Sequence, residues 1–517
     1  MTDARGAKRP KGRTLAEFLP LSDAEEILLA CAAAGAVADF GNKRPESAKD
    51  ANTVRGEFLR FLALGGDEYA PVHEMGVRFQ GAWITEVFDL EGVETKGGLG
   101  ILSSTFAETP IFRDAHVRGL LSFQGCEVPG VKGDRLICDA GVFLRGGFRA
   151  TGEVRFLGGK IGGDFDCSEG FFENPRGIAL NADGIVIDGT CFLSNSFEAN
   201  GEVRFTGAKI NIITLRDGRF SGNPKAIDME GVNVAGALMI DKIYINVGVV
   251  NLDHAQVLTL VDDINSWKKG VSLNGFVYGT IGGRSPTDAK MRIGWLDNQS
   301  KADRGEDGKG SEFRPQPWQQ LRKVLREMGH YEAAREIGIA FEQRKRQCGL
   351  VGAKIQNPDS DAEAEWSSIY GPLARFLHRG YGFLVDYGYR PLKIALTAGL
   401  LWIFCALFFM MAAWNGGFAP TSPAVFANQH YSSCVDPPTR TWADCLPASY
   451  PRFYPVVYSL NVLLPVGDLG QQATWRPQNS TWAGWLAQFV VWFETLFGWV
   501  ASLVLVAVVS GLAKRDE

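Results

Sequence analysis

Apolar residues are distributed unevenly along the 517-residue chain, and the two longest apolar runs both lie in its last quarter. Residues 394–414 contain a single polar side chain, that of Thr397. A second run over residues 485–511 is interrupted by one carboxylate, Glu494, one glutamine and a few hydroxyl groups. Each run is long enough to cross the hydrocarbon core of a bilayer as a helix. The pattern therefore predicts a two-span transmembrane module over residues 391–517.

A shorter apolar segment separates the two spans, over about residues 452–470. It is interrupted by Pro455, Pro465 and Gly467, and it is too short to form a third span. The sequence predicts a re-entrant segment here, which enters and leaves the membrane on the same side. A helix, a re-entrant segment and a second helix are the layout of a pore module.

The re-entrant segment carries a motif, because Tyr458-Ser459 is followed by Val466-Gly467 and Asp468. This order resembles the pore loop of tetrameric potassium-type channels, in which a short helix leads into a Thr-Val-Gly-Tyr-Gly-Asp filter. The resemblance implies a homotetramer with a pore loop at its axis. The pore-loop candidates are Ser459, Asn461, Pro465, Val466, Gly467 and Asp468.

The segment also departs from the channel pattern. The Tyr-Gly pair is missing between Gly467 and Asp468, and Leu464 and Pro465 replace the filter threonines. A potassium filter aims consecutive backbone carbonyls at a dehydrated ion, so the loss of two residues removes part of that ladder. Potassium selectivity is therefore not implied. The alternative is a non-conducting hairpin that only anchors the rest of the chain in the membrane.

The second span has its own candidate residues. Glu494 and Gly498 share one helical face, and Gly498 with Ser502 forms a small-xxx-small pair that allows close helix approach. A carboxylate inside a span normally faces a cavity or a polar partner. Glu494, Gly498 and Ser502 are therefore the inner-helix candidates, with Glu494 as the best single functional residue of the membrane part.

Residues 75–283 show a different pattern, in which short apolar pairs alternate with Gly, Asn and Asp. Residues 148–180 align without gaps on residues 197–229, with 14 of 33 positions identical. A fixed offset of this kind predicts a β-solenoid, whose turns bury their inner residues only against neighbouring turns. The alternative is a β-sandwich, which needs longer strands and no fixed offset.

The remaining segments flank these two regions. Residues 1–74 are predicted to form an N-terminal helical cap, with Ser22 and Glu25 spaced as a capping box. Residues 284–312 are predicted to be a flexible linker, and residues 313–350 a helical hairpin. The basic triplet at 344–346 either meets acidic headgroups or is a solvated helix end. Residues 351–390 are predicted to be a linker and an aromatic, basic interfacial segment.

Charge and topology limit the classes of partner. The net charge is -5 and basic residues are scattered, which excludes nucleic acid as an expected partner. The first twenty residues contain no secretory signal, so we expect both termini in the cytoplasm and the spans in a bacterial inner membrane. Four basic residues within 375–393 precede the first span, which agrees with that orientation. The expected partners are the lipid bilayer, further copies of the chain, and an unknown protein or ligand on the solenoid.

The cysteines and carboxylates suggest little enzyme chemistry. Cys434 and Cys445 lie in the outward loop, where they form a disulfide or remain two free thiols. The other seven cysteines show no metal-ligand spacing, so no metal and no cofactor are expected. Asp262, Asp263 and Trp267 form either a site or, more simply, a corner that seals the last turn of the solenoid. No catalytic motif is apparent, and we expect no enzyme.

The order of segments resembles a family of bacterial membrane proteins labelled membrane-associated oxidoreductase. The resemblance covers residues 22 to 517 and includes the Gly-rich repeats, the segment around Asp262 and Trp267, and the terminal hairpin. An oxidoreductase is expected to have a cofactor-binding motif, and no such motif is found in this sequence. Two functions follow from the sequence: a solenoid sensor coupled to a channel-like module, or a membrane-anchored solenoid scaffold for protein binding.

Overall fold

The structure is a computed structural model that describes residues 14–301, 303–304, 313–352, 361–390, 392–428 and 441–510. For residues 361–369, 443 and 508–509 it describes the backbone alone. The chain divides into two compact units, unit 1 (Met1–Phe341) and unit 2 (Glu342–Glu517), which are described separately.

The described residues contain the following elements. The strands are β1 (Ala38–Asp39), β2 (Thr53–Arg55), β3 (Val77–Gln80), β4 (Trp83–Thr85), β5 (Leu99–Leu102), β6 (Thr105–Phe106), β7 (His116–Val117), β8 (Leu121–Ser122), β9 (Glu127–Val128), β10 (Val131–Lys132), β11 (Ile137–Cys138), β12 (Val142–Phe143), β13 (Arg149–Ala150), β14 (Val154–Arg155), β15 (Lys160–Ile161), β16 (Phe165–Asp166), β17 (Phe171–Asn181), β18 (Val186–Phe192), β19 (Glu198–Arg204), β20 (Lys209–Thr214), β21 (Arg219–Asp228), β22 (Asn233–Ile240), β23 (Tyr244–Asn251), β24 (Gln256–Asp262), β25 (Val271–Ser272), β26 (Val277–Ile281), β27 (Phe418–Pro420) and β28 (Trp475–Pro477). The α-helices are α1 (Asp23–Ala34), α2 (Gly56–Ala63), α3 (Ala289–Leu296), α4 (Gln316–Glu327), α5 (Tyr331–Gln347), α6 (Asp361–Val385), α7 (Leu392–Trp414), α8 (Pro423–Ala427), α9 (Trp442–Cys445), α10 (Pro455–Leu463), α11 (Gln471–Thr474) and α12 (Trp482–Val509). Short 3-10 helices cover Leu15–Phe18, Ile264–Trp267 and Asp386–Gly388.

The strands β1 to β26 build a parallel solenoid of about nine turns, which confirms the predicted β-solenoid. Leu121 pairs with Val142, Val142 with Phe165, and Phe165 with Cys191, so the chain returns to the same face after 21 to 26 residues. Pairing between successive turns excludes the β-sandwich alternative, whose strands pair antiparallel. The 49-residue sequence offset corresponds to two turns, since Val154 pairs with Leu180 and Leu180 with Val203.

Turns early in the solenoid differ from later ones. Around residues 116–166, each turn has four strands of two residues separated by tight corners. Later turns fuse neighbouring strands: β15 and β16 both pair with β18, at Val186 and Cys191 respectively. In the long strands β17, β19, β21 and β23, the chain no longer forms separate corners. The strand pairing shifts register inside these strands instead, and such shifts are β-bulges. The fused half of the solenoid therefore has bent outer faces.

Aromatic side chains stack along the inside of the solenoid. The rings of Phe148, Phe172, Phe197 and Phe220 follow one another with centroid distances of 5.3, 5.2 and 5.5 Å. All four side chains are buried, while the residues after them point outward, as the two-residue strand period requires. This column explains why single turns are not stable alone: each ring is covered only by the turns on either side.

The N-terminal segment forms both helices and strands. Ser22 accepts a hydrogen bond from Glu25 N at 3.1 Å and its own amide donates to Glu25 Oε2, which confirms the predicted capping box. The Glu25 carboxylate is buried and forms an ion pair with Arg55 at 2.6 Å. Between α1 and α2, β1 and β2 pair in parallel with β3 and β4. The solenoid sheets thus begin inside the segment that the sequence predicts as a helical cap.

A buried polar cluster closes the last turns. The Asp262 carboxylate accepts two hydrogen bonds from the Arg292 guanidinium, at 2.7 and 2.8 Å, and one from Trp267 Nε1 at 2.8 Å. Arg292 and Trp267 are fully buried, and Trp267 packs on Trp295. Asp263 caps the 3-10 helix Ile264–Trp267. These carboxylates hold a corner of the fold, which is the simpler of the two sequence interpretations.

The sequence predicts a flexible linker over residues 284–312, but the structure places α3 in its first part. The physical reason is the ion pair just described, because Arg292 of α3 has to reach a carboxylate inside the last turn. The charged composition of the segment hides this single buried arginine. Residues 305–312 of the predicted linker lie outside the described residues.

The first helix of the predicted hairpin packs against the last strand. Gln316 Oε1 accepts from Gly275 N at 3.0 Å, Gln316 Nε2 donates to the Phe276 carbonyl at 3.0 Å, and Gln320 Nε2 donates to the Tyr278 carbonyl at 2.7 Å. Two amide side chains one helical turn apart thus take the place of a further strand. An open sheet edge would otherwise be a template for pairing with other chains.

Unit 2 contains the two helices that are long and apolar enough to cross a membrane. These are α7, with a mean hydropathy of 2.3, and α12, with 2.0 over its part Trp482–Ala507. They correspond to the predicted spans. Most of their large apolar side chains are exposed, as expected of helices that face lipid. The segment between them folds into short helices and the antiparallel pair β27–β28.

Candidate functional site

The short helix α10 lies between the two long apolar helices and contacts both. Trp402 of α7 donates from Nε1 to the carbonyl of Val456 at 2.9 Å. The ring of Tyr458 packs edge-on against Phe409 of α7 at 5.3 Å. An aromatic core that includes Phe418 and Trp475 surrounds this contact. The sequence pattern Tyr458-Ser459 therefore marks the buried side of α10.

Ser459 and Glu494 connect α10 to α12. Ser459 Oγ lies 2.5 Å from Glu494 Oε1 and 3.2 Å from the carbonyl oxygen of Trp402. A hydroxyl has one proton, so both hydrogen bonds form together only when the Glu494 carboxyl carries a proton and donates to Ser459. Oε2 is buried without a hydrogen-bond partner among the described residues, and the Cys405 thiol lies nearby. The arrangement suits a neutral carboxyl group that joins three helices.

Gly498 lies one turn further along α12, where the backbone of α10 ends. A Cβ atom at this position would lie 2.0 Å from the carbonyl oxygen of Leu463. Gly498 of the predicted small-residue pair therefore lies close to a neighbouring helix, which is α10. Ser502, the other half of the pair, is partly buried.

The segment 464–470 forms a loop after α10, here called the exposed loop. The side chain of Asn461 binds this loop through three hydrogen bonds. Its Oδ1 accepts from Gln471 N at 3.1 Å and from Gln472 N at 3.3 Å, and its Nδ2 donates to the Gly467 carbonyl at 3.4 Å. Asn461 itself is buried. A single amide thus binds the middle of the exposed loop and the residues that directly follow it.

The exposed loop presents apolar side chains without covering them. Val466 is 86% exposed, and Leu464 and Leu469 are exposed at 43% and 45%. Gly467 has a φ of 146°, in the region that favours glycine, and no atom lies within 4 Å of the place where its Cβ would be. The Asp468 carboxylate accepts from Gly470 N at 2.8 Å, which closes a tight turn.

The predicted site residues therefore separate into two groups within one chain. Ser459, Asn461, Glu494 and Gly498 are buried and hold α10 and the exposed loop in place. Val466, Gly467 and Asp468 are exposed, with Pro465 half-buried between them and α10. The first group supports the position of the second.

The cysteines fall into two classes. Cys445 is disulfide-bonded, whereas Cys434 lies outside the described residues, so the pairing of these two cysteines stays a prediction. In unit 1, burial raises the pKa of the Cys126 thiol to about 12 and that of Cys138 to about 11. These thiols are core residues that stay protonated at neutral pH. Within the described residues, no group of three or more His, Cys, Asp or Glu side chains is placed to hold a metal ion.

The sequence interpretation missed a concave site on the solenoid. It has a volume of about 520 Å³ and lies on the outer face of three consecutive strands. Its lining residues are Glu198, Ala199, Asn200, Arg219, Phe220, Ser221, Tyr244 and Asn246, and this set is here called the solenoid groove. Only the strand register brings these residues together, and the one signal in the sequence is the Asn-Pro pair that marks a bulge in the repeat.

Comparison with known proteins finds no family model, curated protein or solved structure that matches the chain. The interpretation of both sites therefore depends on their geometry.

Proposed function

We propose that the chain is a membrane protein whose unit 2 forms a pore together with identical copies. The solenoid senses a ligand or protein, and this binding gates the pore. The observation that carries the proposal is the position of α10. This short helix lies between two apolar helices, and a buried side chain of the helix binds the loop that follows it. Pore modules use this arrangement to present a loop to a central axis.

The exposed loop supports an assembly of several copies. A loop with Val466 almost fully exposed and two leucines beside it leaves apolar surface that a monomer does not bury. Four copies around an axis would cover this surface and bring four exposed loops together. Asp468 and the backbone carbonyls of the loop would then line the constriction.

The remaining expectations follow from the same proposal. The spans α7 and α12 would lie in the bacterial inner membrane with both chain termini in the cytoplasm. The helix α6 would lie along the membrane surface, because Leu373, Phe376, Leu377 and Phe383 are exposed on it beside basic residues. We include in this proposal that the whole chain resembles the bacterial family labelled membrane-associated oxidoreductase, but we propose no redox activity for it.

A second candidate function is a membrane-anchored solenoid that binds a partner, with a non-conducting hairpin. The observation that favours it is the solenoid groove, which provides polar contacts far along the chain from the membrane helices. In this case the exposed loop would serve only to anchor or pair copies of the chain.

Oligomeric state separates the two candidates. The full chain purified in a mild detergent would be analysed by native mass spectrometry. The pore proposal expects a tetramer, and Val466→Asp is expected to weaken it because four further carboxylates would meet at the axis beside those of Asp468. A stable monomer of the wild-type chain would rule out the pore and leave the anchored solenoid.

A further inference from the structure

The six outward side chains of the solenoid groove lie in an array of two rows across three strands. Glu198, Arg219 and Tyr244 occupy the same register position on β19, β21 and β23. Two residues further along the same strands lie Asn200, Ser221 and Asn246; Asn200 pairs with Ser221, whereas Ser221 pairs with Val247, one residue beyond Asn246. The residues between them, such as Phe220 and Ile245, are buried and form the floor. The array therefore has three rungs, each with two polar or aromatic side chains.

The array is concave because the strands bend at its second row. The pairing of β19 with β21 shifts register after Asn200, and the pairing of β21 with β23 shifts register on both sides of Ser221. Such bulges bend a strand and are common next to binding sites. Glycines allow the backbones to approach at these bends: a Cβ on Gly248 would lie 2.0 Å from the carbonyl oxygen of Gly222.

The groove residues are also unusual in lacking partners. Elsewhere on the solenoid, most outward arginines pair with acids of neighbouring turns, as in Arg155 with Asp134 at 2.9 Å and Arg204 with Asp183 at 2.5 Å. Glu198 and Arg219 are neighbours in register, yet neither has an ion pair within the part of the chain that the structure describes. A set of convergent polar groups left without protein partners is what a ligand site provides.

The chemistry of the array indicates the class of ligand. One carboxylate and one guanidinium cancel in charge, so the groove does not favour a polyanion. The amides of Asn200 and Asn246 and the hydroxyl of Ser221 donate and accept hydrogen bonds. Tyr244 is 61% exposed and offers a ring face with a polar tip. Mixed donors and acceptors beside an exposed aromatic ring match a neutral, polyhydroxylated ligand with apolar ring faces.

The spacing of the array suits a linear polymer. Neighbouring strands lie about 4.8 Å apart, which is close to the length of one sugar unit in a chain. Successive units would therefore lie over successive rungs. We propose that the solenoid groove binds a neutral linear oligosaccharide, with one sugar ring against Tyr244 and hydroxyl groups on Glu198, Asn200 and Arg219. This site rests on the proposed role of the solenoid as the ligand-binding part, and it does not require that unit 2 conducts.

The test uses the full chain in nanodiscs, because sugar-based detergents would compete for the groove. The probes are neutral oligosaccharides of β-1,4-linked glucose, α-1,4-linked glucose and β-1,4-linked N-acetylglucosamine, titrated by calorimetry. We expect at least one series to bind with a Kd below about 1 mM, and Tyr244→Ala and Arg219→Ala to weaken it at least about tenfold. Tyr69→Ala, which removes a 75% exposed tyrosine outside the groove, should leave the Kd unchanged.

Two results would overturn the proposal. One is that no series binds to the wild-type chain; the other is that binding persists unchanged in both groove variants. A charged peptide that binds through Arg219 while every oligosaccharide fails would assign the groove to a protein partner. Each of these results leaves ion flux through unit 2 unaffected, so failure of the groove and failure of the pore are distinguishable.

Discussion

Gly498 of α12 lies against the carbonyl oxygen of Leu463, the last residue of α10. The contact leaves no room for a side chain, since a Cβ would lie 2.0 Å from that oxygen. It joins the second apolar helix to the start of the exposed loop. The position of the loop relative to α12 therefore depends on a hydrogen atom at residue 498.

Gly498→Ala is predicted to displace the end of α10 and to lower the stability of unit 2. Overpacking of this kind typically costs about 1–3 kcal/mol. The measurement is the thermal unfolding midpoint of the purified chain in detergent. Gly399→Ala in α7 is the matched control, because no atom lies within 4 Å of the place where that Cβ would be. Equal midpoints for the two variants would contradict the close contact.

Glu494→Gln is predicted to be tolerated, whereas Glu494→Ala is not. A glutamine amide donates to Ser459 as a protonated carboxyl does, so the link between α10 and α12 survives. Alanine removes the donor and leaves a cavity among buried groups, which we expect to cost about 1–3 kcal/mol. The measurement is again the thermal unfolding midpoint of the purified chain in detergent. Equal losses in the two variants would contradict a hydrogen bond donated by residue 494 to Ser459.

Asn461→Leu is predicted to release the exposed loop without unfolding α10. The leucine keeps the side-chain volume but removes the acceptor for Gln471 N and Gln472 N. Hydrogen exchange of residues 464–472 should then increase, while exchange in α7 stays the same. Asn479→Leu changes an exposed asparagine in the same unit and serves as the control. Unchanged exchange in the loop would show that Asn461 does not hold it.

Gln316→Ala combined with Gln320→Ala is predicted to destabilise the last turn of the solenoid. The two amides satisfy backbone groups of Gly275, Phe276 and Tyr278, and each buried group left unpaired costs about 1–3 kcal/mol. Local proteolysis near residues 270–285 should accelerate. Gln319→Ala, on the exposed side of the same helix, is expected to have no effect. Equal proteolysis of both variants would argue against strand replacement by α4.

Periodic and local features of this fold could be predicted from the sequence. The two apolar runs, the fixed 49-residue offset and the capping box at Ser22 are periodic or local signals, and the long apolar helices, the solenoid turns and the capping box that they predict are confirmed. The buried pair of Asp262 and Arg292 could not be predicted, because 30 residues separate its members and Arg292 lies in a charged segment.

The candidate sites show the same division. The sequence indicates Ser459, Asn461 and Glu494, but not that the first and last bond each other across two helices. The solenoid groove could not be predicted, since Glu198, Arg219 and Tyr244 become neighbours only through the register of three strands. The number of residues in each bulge sets that register, and no local pattern encodes it.

The central claim is that identical copies of unit 2 form a pore at the exposed loop. The measurement that tests it most directly is cation flux through the purified chain reconstituted in liposomes, with insertion verified. We predict flux for the wild-type chain, loss of flux for Gly467→Trp, and retained flux for Gly467→Ala. The backbone φ at residue 467 is 146°, so alanine and tryptophan carry the same backbone strain there. The two variants therefore differ only in the bulk of the side chain.

Loss of flux in Gly467→Trp alone would place the conduction path at the exposed loop. Flux that is equal in the wild type and in Gly467→Trp would contradict this path. Absence of flux for every cation from correctly inserted wild-type protein would contradict the pore and favour the membrane-anchored solenoid.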